Sequence, residues 1–518
     1  MLLDARPVTR PSRATVAEPP PPRRAARLRI LAICFGVASA TISFAGSWIP
    51  SLWGDEVTSV LSAERSLPSL FRMLGHVDAV HGTYYLFLHF WVGAFGASPL
   101  SVRFPSAIVA GLAVAGVVLL AARLANYRTA AFAGLVCLVL PRMTYTGQEA
   151  RSYAFSAALA VWLTYLLVCL VSGRLSGRRY WVLYAVGVAA CAYVFLFSLL
   201  LLPAHAAVVL TLRDRRRLKS WLWAVGGGVL LALPILVYGI AERGQIAYLS
   251  DRSAATFNSV TVGQWFGNTQ TAILCWILLG ASIAFAVIRW RGASRRVLGG
   301  VAPALDGALP ESTLPLLGVV WLLLPPAFLL LVNFVDPIYS SRYLTFATPG
   351  YALIVGYFLA RLRPSWMAIL LAGAVAASAL PTYQSQRTPY AENGSDWAVS
   401  GAFIHSHASA GDAILFDETI NPSKRPRLGM RAYPADFVGL KDVALKAYWW
   451  STNSWADTVY PLASVSSRLN NVHTVWLIEY RAPGGKPDSY DLSTLASLGY
   501  TRVHTTQEHS SVILEFQK

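Results

Sequence analysis

Long apolar runs broken by short arginine clusters set the pattern of this chain. Ile30–Trp48 is the first run of membrane length, since a helix needs about 20 residues to cross the hydrocarbon core. Others follow at Phe104–Ala122, Ala130–Pro141, Tyr153–Val171, Tyr180–Leu212, Trp221–Ile240, Ala272–Ile288, Leu314–Val332, Leu344–Leu359 and Trp366–Leu380. Basic clusters mark alternate junctions: Arg23 to Arg29, Arg123 with Arg128, Arg174 to Arg179, Arg213 to Lys219, Arg289 to Arg296, and Arg361 with Arg363. Basic loops stay cytoplasmic, so each cluster reads as an inner side. Tyr180–Leu212 has a cluster at both ends and must cross an even number of times, as two short helices with a tight outer turn. The bookkeeping closes at about eleven crossings, amino end inside and carboxyl end outside. His81–Phe95 stands apart. It is short and carries Tyr84, Tyr85 and Trp91, which suits a helix lying in the membrane interface.

Beyond Pro381 the pattern changes. Gly411-Asp412 leads into Ala413–Phe416, a short buried strand, and Val475–Ile478 reads as another. Leu492–Leu498 predicts a helix ended by Gly499, and Thr501–Phe516 predicts two strands joined by a polar turn. The expected fold class is a polytopic α-helical membrane protein with a small extracytoplasmic α/β C-terminal domain. Residues 1–29 form a disordered basic cytoplasmic N-terminus, 30–382 the transmembrane domain with an extracytoplasmic loop at 49–103, and 383–518 the C-terminal domain.

Composition agrees with the membrane reading. Of 518 residues 55% are hydrophobic and 13% charged, against roughly 25% charged in a soluble domain. The net charge of +17 raises nucleic acid as a partner, but the arginines sit between apolar runs, and nucleic-acid binding is set aside. Cys34, Cys137, Cys169, Cys191 and Cys275 all fall inside apolar runs, leaving no disulfide framework or cysteine metal site in the polar region. His76, His81 and His89 do not share one helix face. No ligand cluster compels a metal, although a divalent cation stays open as a cofactor.

Four segments placed on the outer side could carry chemistry. Trp53-Gly54-Asp55-Glu56 follows the first run: a solvated acidic exit, or a general base with a second carboxylate orienting substrate or pairing with an arginine. Gln148-Glu149-Ala150-Arg151 opens a later run, where Glu149 and Arg151 could pair with each other. Alternatively Arg151 could neutralise Asp55 or Glu56, or hold a phosphate. Asp336–Tyr343 brings Arg342 to a membrane edge, as an interface anchor or a phosphate partner. The long loop Ile240–Asn268 carries Arg243 and could cover a site.

In order along the chain stand Asp55-Glu56, His81-Gly82-Thr83-Tyr84-Tyr85 with Trp91, and Arg103-Phe104-Pro105-Ser106. Gln148-Glu149-Ala150-Arg151 with Tyr153 follows, then Tyr339 with Arg342-Tyr343 and Pro349. This series resembles the GT-C membrane glycosyltransferases, in the branch of protein O-mannosyltransferases and aminoarabinose transferases. Gly82 and Thr83 depart from it where the family often has proline. The resemblance implies an inverting transfer of a monosaccharide, mannose first, from a polyprenyl-phosphate donor to a lipid, glycan or protein hydroxyl on the outer face of the membrane. It implies that Asp55, or alternatively Glu56, takes the acceptor proton. Arg342, helped by Arg151 or Arg243, would stabilise the leaving phosphate, with Glu149, His81, Tyr84 and Tyr343 as further substrate-binding residues. The competing readings are a ligase for lipid-linked glycans and a transporter or flippase. Transporters place polar groups near the bilayer midplane, and here they gather at span ends.

Overall fold

The computed structural model describes residues 22–245, 254–298, 309–481 and 489–518. Among these, seven helices are long and apolar enough to cross a membrane: Ala25–Phe44, Pro99–Leu124, Tyr153–Val171, Arg215–Ala241, Thr269–Gly292, Thr313–Val332 and Ser365–Ser385. The chain is an integral, multi-pass membrane protein. The other expected crossings fall on shorter helices, Tyr127–Val139, Arg178–Val194, Leu202–Thr211 and Thr348–Leu359. Their length alone does not establish that they cross, so the structure leaves the count of eleven unestablished. The pair expected within Tyr180–Leu212 is present. The extended backbone of Phe195 (φ −161°, ψ 107°) ends the first helix, and a 3₁₀ turn, Leu196–Leu201, leads into the second.

Between lipid-facing helices no hydrophobic force drives association, so close backbone packing of small residues takes over. Helices Pro22–Phe44 and Pro99–Leu124 show this. A side-chain carbon on Gly111 would stand 2.4 Å from the Gly36 carbonyl oxygen. Gly318 and Gly350 make a second crossing of this kind, the added carbon at Gly350 lying 2.8 Å from the Gly318 oxygen. The outward faces keep Ile33, Val37, Ile108 and Leu112 exposed, as a surface in contact with lipid would.

Two short helices follow the first membrane helix, Gly54–Ala63 and Leu67–Leu74. His81–Phe95 becomes a 3₁₀ turn, Ala79–His81, and a helix, Gly82–Phe95. Its Tyr84, Tyr85 and Leu88 pack with Val57, Val60 and Leu61 of the helix Gly54–Ala63, while Phe90 and Phe95 stay exposed.

The C-terminal domain is a five-stranded mixed sheet. In chain order the strands are β1 (Ala413–Phe416), β2 (Lys441–Asp442), β3 (Leu445–Ala447), β4 (Thr458–Val459), β5 (Thr474–Tyr480), β6 (Thr501–Gln507) and β7 (Ser511–Gln517). The sheet order is β2-β1-β5-β7-β6, with β1 parallel to β2 and β5, and β7 antiparallel to β5 and β6. Strands β3 and β4 form a separate pair. Both faces are covered, so β1 reads as an unbroken apolar run. Ala413, Leu415, Val475 and Leu477 join one core, and Ile414, Phe416, Trp476 and Ile478 another with Ile404 of the helix Trp397–His407.

This domain is fastened to the helix Gly54–Ala63 and the residues flanking it. Tyr433 Oη accepts from the Leu52 N–H (2.8 Å), Ser395 Oγ donates to the Leu52 carbonyl (2.8 Å), and Trp449 Nε1 donates to the Leu61 carbonyl (3.0 Å). Arg65, fully buried, donates to the Thr452 carbonyl at 3.0 Å and to those of Trp449 and Ser454. At Gly54 the two parts touch backbone to backbone: a side-chain carbon there would lie 1.8 Å from the Ser423 carbonyl oxygen. Only glycine fits.

Candidate active site

The helix Gly54–Ala63 begins with its two carboxylates in the first turn, where the helix dipole favours negative charge. Consecutive residues on a helix point about 100° apart, and the two acids meet different surroundings. Glu56 is fully buried against a fully buried Arg103. Arg103 Nε donates to Glu56 Oε1 at 2.8 Å and its Nη2 to Oε2, while the Ala150 N–H also donates to Oε1 at 2.8 Å. The remaining Arg103 N–H groups bind the carbonyls of Ser47, Pro50 and Ser51. Glu56 therefore ties the end of the first membrane helix, the loop after it and the Gln148–Arg151 turn into one knot. Its oxygens are occupied.

Asp55 faces an opening. Its Oδ2 accepts from Arg342 Nη1 at 2.8 Å, and the two side chains are 23% and 24% exposed. The Arg342 guanidinium lies over the Trp53 ring, 4.8 Å from its centroid, and reaches Glu149 Oε1 at 4.0 Å. Burial works against the Arg342 charge, but Tyr153, Asp55 and Glu149 outweigh it and hold the guanidinium protonated more firmly than usual.

Arg151 packs behind this pair. Its Nη1 donates to the Asp55 carbonyl and to Ser59 Oγ, both at 3.1 Å, and its Nη2 stands 3.1 Å from His81 Nε2. Burial, then the Arg151 and Arg342 charges, hold the His81 pKa well below its ordinary value, so the ring is neutral and accepts at Nε2. Arg151 is thus fixed beside Asp55 through the Asp55 carbonyl and the Ser59 hydroxyl one helical turn on, aligned by a neutral histidine.

Two further carboxylates sit below the opening. Glu149 is buried; burial raises its pKa to about 8, with Arg342 opposing and Glu392 and Glu56 adding. Glu392 is fully buried, takes hydrogen bonds from Tyr145 Oη (2.7 Å) and Gln148 Nε2 (3.3 Å), and is likewise shifted upward by burial. Burial thus favours the neutral form of both carboxyls, and at Glu149 the Arg342 charge opposes it.

The structure thus joins Asp55, Arg342, Arg151, Glu149 and His81, drawn from residues far apart in sequence. Tyr343 borders the group, stacked on Phe197 at 5.3 Å between centroids. Tyr84 is buried in the apolar cluster with Val57 and Val60. Arg243 is exposed, and among the described residues no hydrogen bond or ion pair links it to the cluster; its neighbours Glu242 and Gln245 instead accept from the N–H groups of Ala79 and Asp78. Three participants have no role assigned by sequence reasoning, although Arg103 and Trp53 stand in the motifs quoted above. Arg103, a cation at the head of an apolar run, signalled that an acid partner was needed. Trp53 was visible only as a neighbour of the acids. Glu392 gave no signal, since Tyr145 is distant in sequence and only folding brings them together. Among the described residues no group of three or more His, Cys, Asp or Glu is placed to hold a metal ion.

Residues 83–241 match the sequence profile of the dolichyl-phosphate-mannose-protein mannosyltransferases. The fold along nearly the whole chain is that of ArnT from Cupriavidus metallidurans. The structure bound to undecaprenyl phosphate superposes with a TM-score of 0.55 at 13% identity, covering 93% of this chain and 97% of ArnT. The apo structure gives 0.54 at 12% identity over 95% and 98%. The oligosaccharyltransferase of Archaeoglobus fulgidus is similar more loosely, with a TM-score of 0.48 at 10% identity over 87% and 69%, too loosely to carry an argument. No curated protein matches the chain by sequence.

Proposed function

We propose that this chain, which matches the protein-mannosyltransferase profile over residues 83–241 and shares the fold of ArnT, is a GT-C membrane glycosyltransferase that carries out an inverting sugar transfer from a polyprenyl-phosphate donor, centred on Asp55 and Arg342. The observation that carries this reading is the half-open Asp55–Arg342 pair, joining two segments 287 residues apart at a surface the molecule does not cover. The Glu56–Arg103 pair beside it is closed over, with every oxygen of the acid and every N–H of the arginine engaged. The Asp55–Arg342 pair is placed to exchange partners.

Arg342 lets go of Asp55 when a donor phosphate arrives, because guanidinium binds phosphate as readily as carboxylate. Asp55 is then free to take a proton. The acceptor oxygen attacks the anomeric carbon from the face opposite the phosphate. The bond from that carbon to the phosphate oxygen breaks, its electron pair leaves on the lipid phosphate, and the hydroxyl proton moves to Asp55. Arg342, stacked on Trp53 and backed by Arg151, faces the charge that grows on the leaving phosphate, a contribution of about 3–4 kcal/mol for one well-aimed donor. Glu56 holds the helix that presents Asp55 and takes no part in the proton transfer. The donor sugar is mannose, in line with the matched profile, and the reaction takes place on the extracytoplasmic side, where basic-loop bookkeeping puts the acidic turn.

Purified protein is tested with radiolabelled polyprenyl-phosphate-mannose and a cell-envelope acceptor extract, beside the matching polyprenyl-pyrophosphate-linked glycan. Transfer from the monophosphate alone, abolished by Arg342→Ala, is expected. Transfer from the pyrophosphate alone would replace the reading with a glycan ligase.

A further inference from the structure

The His81 ring aligns Arg151, and the turn that carries this ring is held from a distant part of the chain. Helix Arg215–Ala241 ends at Glu242, where the helix dipole disfavours an acid. The carboxylate finds its partner outside its own helix. Its Oε2 accepts from the Ala79 N–H at 3.0 Å, at the start of the turn Ala79–His81. Gln245 Oε1 accepts from the Asp78 N–H at 3.1 Å. These contacts span 163 and 167 residues of chain, so neither is a local turn bond. Apolar packing joins the same two parts, with Ala79 and Val80 set against Ala232, Ile235 and Leu236 of that helix.

Asp78 completes the hold. Its backbone is left-handed (φ 59°, ψ 25°), a conformation that a residue other than glycine keeps only where its surroundings fix it. Here Tyr85 Oη donates to Asp78 Oδ2 at 3.0 Å, and Gln245 takes the Asp78 N–H. The His81 N–H then donates to the Asp78 carbonyl at 2.9 Å, so the place of the ring follows from that of Asp78.

We propose that Glu242 and Gln245 are positioning residues of the transfer: by fixing the turn Asp78–His81 they set where the His81 ring stands, and so where Arg151 is aimed beside Asp55. The inference rests on the sugar-transfer reading and names the residues that hold the guanidinium behind the reacting pair. From the turn onward each step is a contact. His81 Nε2 stands 3.1 Å from Arg151 Nη2, and Arg151 Nη1 donates to the Asp55 carbonyl at 3.1 Å. A displacement of about 1 Å at a reacting centre is enough to cost about 100-fold in rate, so a turn that drifts on losing its cap is felt at Arg151. The loop that opens at Ile240 therefore acts through its acid and its amide, while Arg243 between them stays exposed.

Single-turnover transfer from radiolabelled polyprenyl-phosphate-mannose to the cell-envelope extract is measured on the full-length parent, Glu242→Ala, Glu242→Gln, His81→Ala and the double variant Glu242→Ala with His81→Ala, with donor binding followed in parallel. Glu242→Ala should lower the transfer rate about tenfold, the scale of one lost hydrogen bond to a charged group, and leave donor binding within about twofold. Glu242→Gln keeps an oxygen for the Ala79 N–H and should stay within about threefold of the parent. In the His81→Ala background no ring is left to place, so Glu242→Ala should add less than about twofold. Equal losses in the two backgrounds overturn the proposal, as does a loss confined to donor binding or a Glu242→Gln as slow as Glu242→Ala. A parent that transfers nothing would remove the underlying reading, and this inference with it. If Glu242→Ala fails to fold, Gln245→Ala, which loses the other arm, takes its place in the cycle.

Discussion

Asp55 and Glu56 are neighbours in sequence and each pairs with an arginine, yet the two pairs occupy opposite kinds of site. Glu56 and Arg103 are wholly buried, and the arginine's N–H groups also meet carbonyls of the loop around them. Asp55 and Arg342 are about a quarter exposed, stand on an aromatic face and lie near two buried carboxyls, Glu149 and Glu392, whose pKa values burial raises. The first pair can only be broken. The second can be exchanged. The difference teaches that an ion pair's role is decided by what else its atoms can reach, not by the pairing itself, since a buried pair stripped of one partner leaves an uncompensated charge while an open one finds water or ligand.

Breaking the closed pair should produce the largest effect. Arg103→Ala leaves Glu56 buried and alone and also removes the donors to Ser47, Pro50 and Ser51, so a loss of about 3–5 kcal/mol is expected. Thermal or denaturant unfolding should show it, with Glu56→Ala less severe because those three carbonyls keep their donors. Equal losses would mean the carbonyl contacts contribute nothing. Breaking the open pair should leave folding intact. Arg342→Ala is expected to lower transfer about 10²–10³-fold with a parental melting temperature. Arg342→Lys should recover only part, because an ammonium cannot both stack on Trp53 and present a fork of donors.

Gly54→Ala tests the junction between the two regions. A carbon set 1.8 Å from the Ser423 oxygen forces backbone to move, and a loss of about 1–3 kcal/mol is expected, read as a lower melting temperature with the C-terminal domain more open to protease. A further prediction concerns pH. Glu149 has its folded pKa raised from 4.5 to about 8, so the native state holds a proton that the unfolded chain releases. That contribution is complete below 4.5 and is lost as pH rises through about 8. Parent stability should therefore decline across this window, and Glu149→Gln should flatten the decline. An unchanged slope would mean that Glu149 is ionised throughout.

Much of this could be read along the chain. The buried strands Ala413–Phe416 and Val475–Ile478 appeared because apolar runs bounded by turns have few other homes, and Gly499, at φ 87°, closes the last helix as expected. Asp55 and Arg342 appeared because charge at the end of an apolar run needs a reason. The crossings could not be counted, because short apolar runs such as Tyr127–Val139 suit a crossing or a helix packed inside the bundle equally well. The roles of the two acids could not be separated either, because only the fold brings Arg103 to one and Arg342 to the other. Arg243 carried the right chemistry in the right loop, and the fold leaves it exposed.

The central claim is that one acid of the doublet does chemistry and the other holds structure. Single-turnover transfer from bound polyprenyl-phosphate sugar, measured on Asp55→Asn and Glu56→Gln beside their melting curves, tests it most directly. Asp55→Asn should melt as the parent does, bind donor, and transfer about 10²–10⁴-fold more slowly, while Glu56→Gln should lose stability and, where folded, retain transfer. Parental turnover in Asp55→Asn, with transfer abolished in a folded Glu56→Gln, would contradict the account.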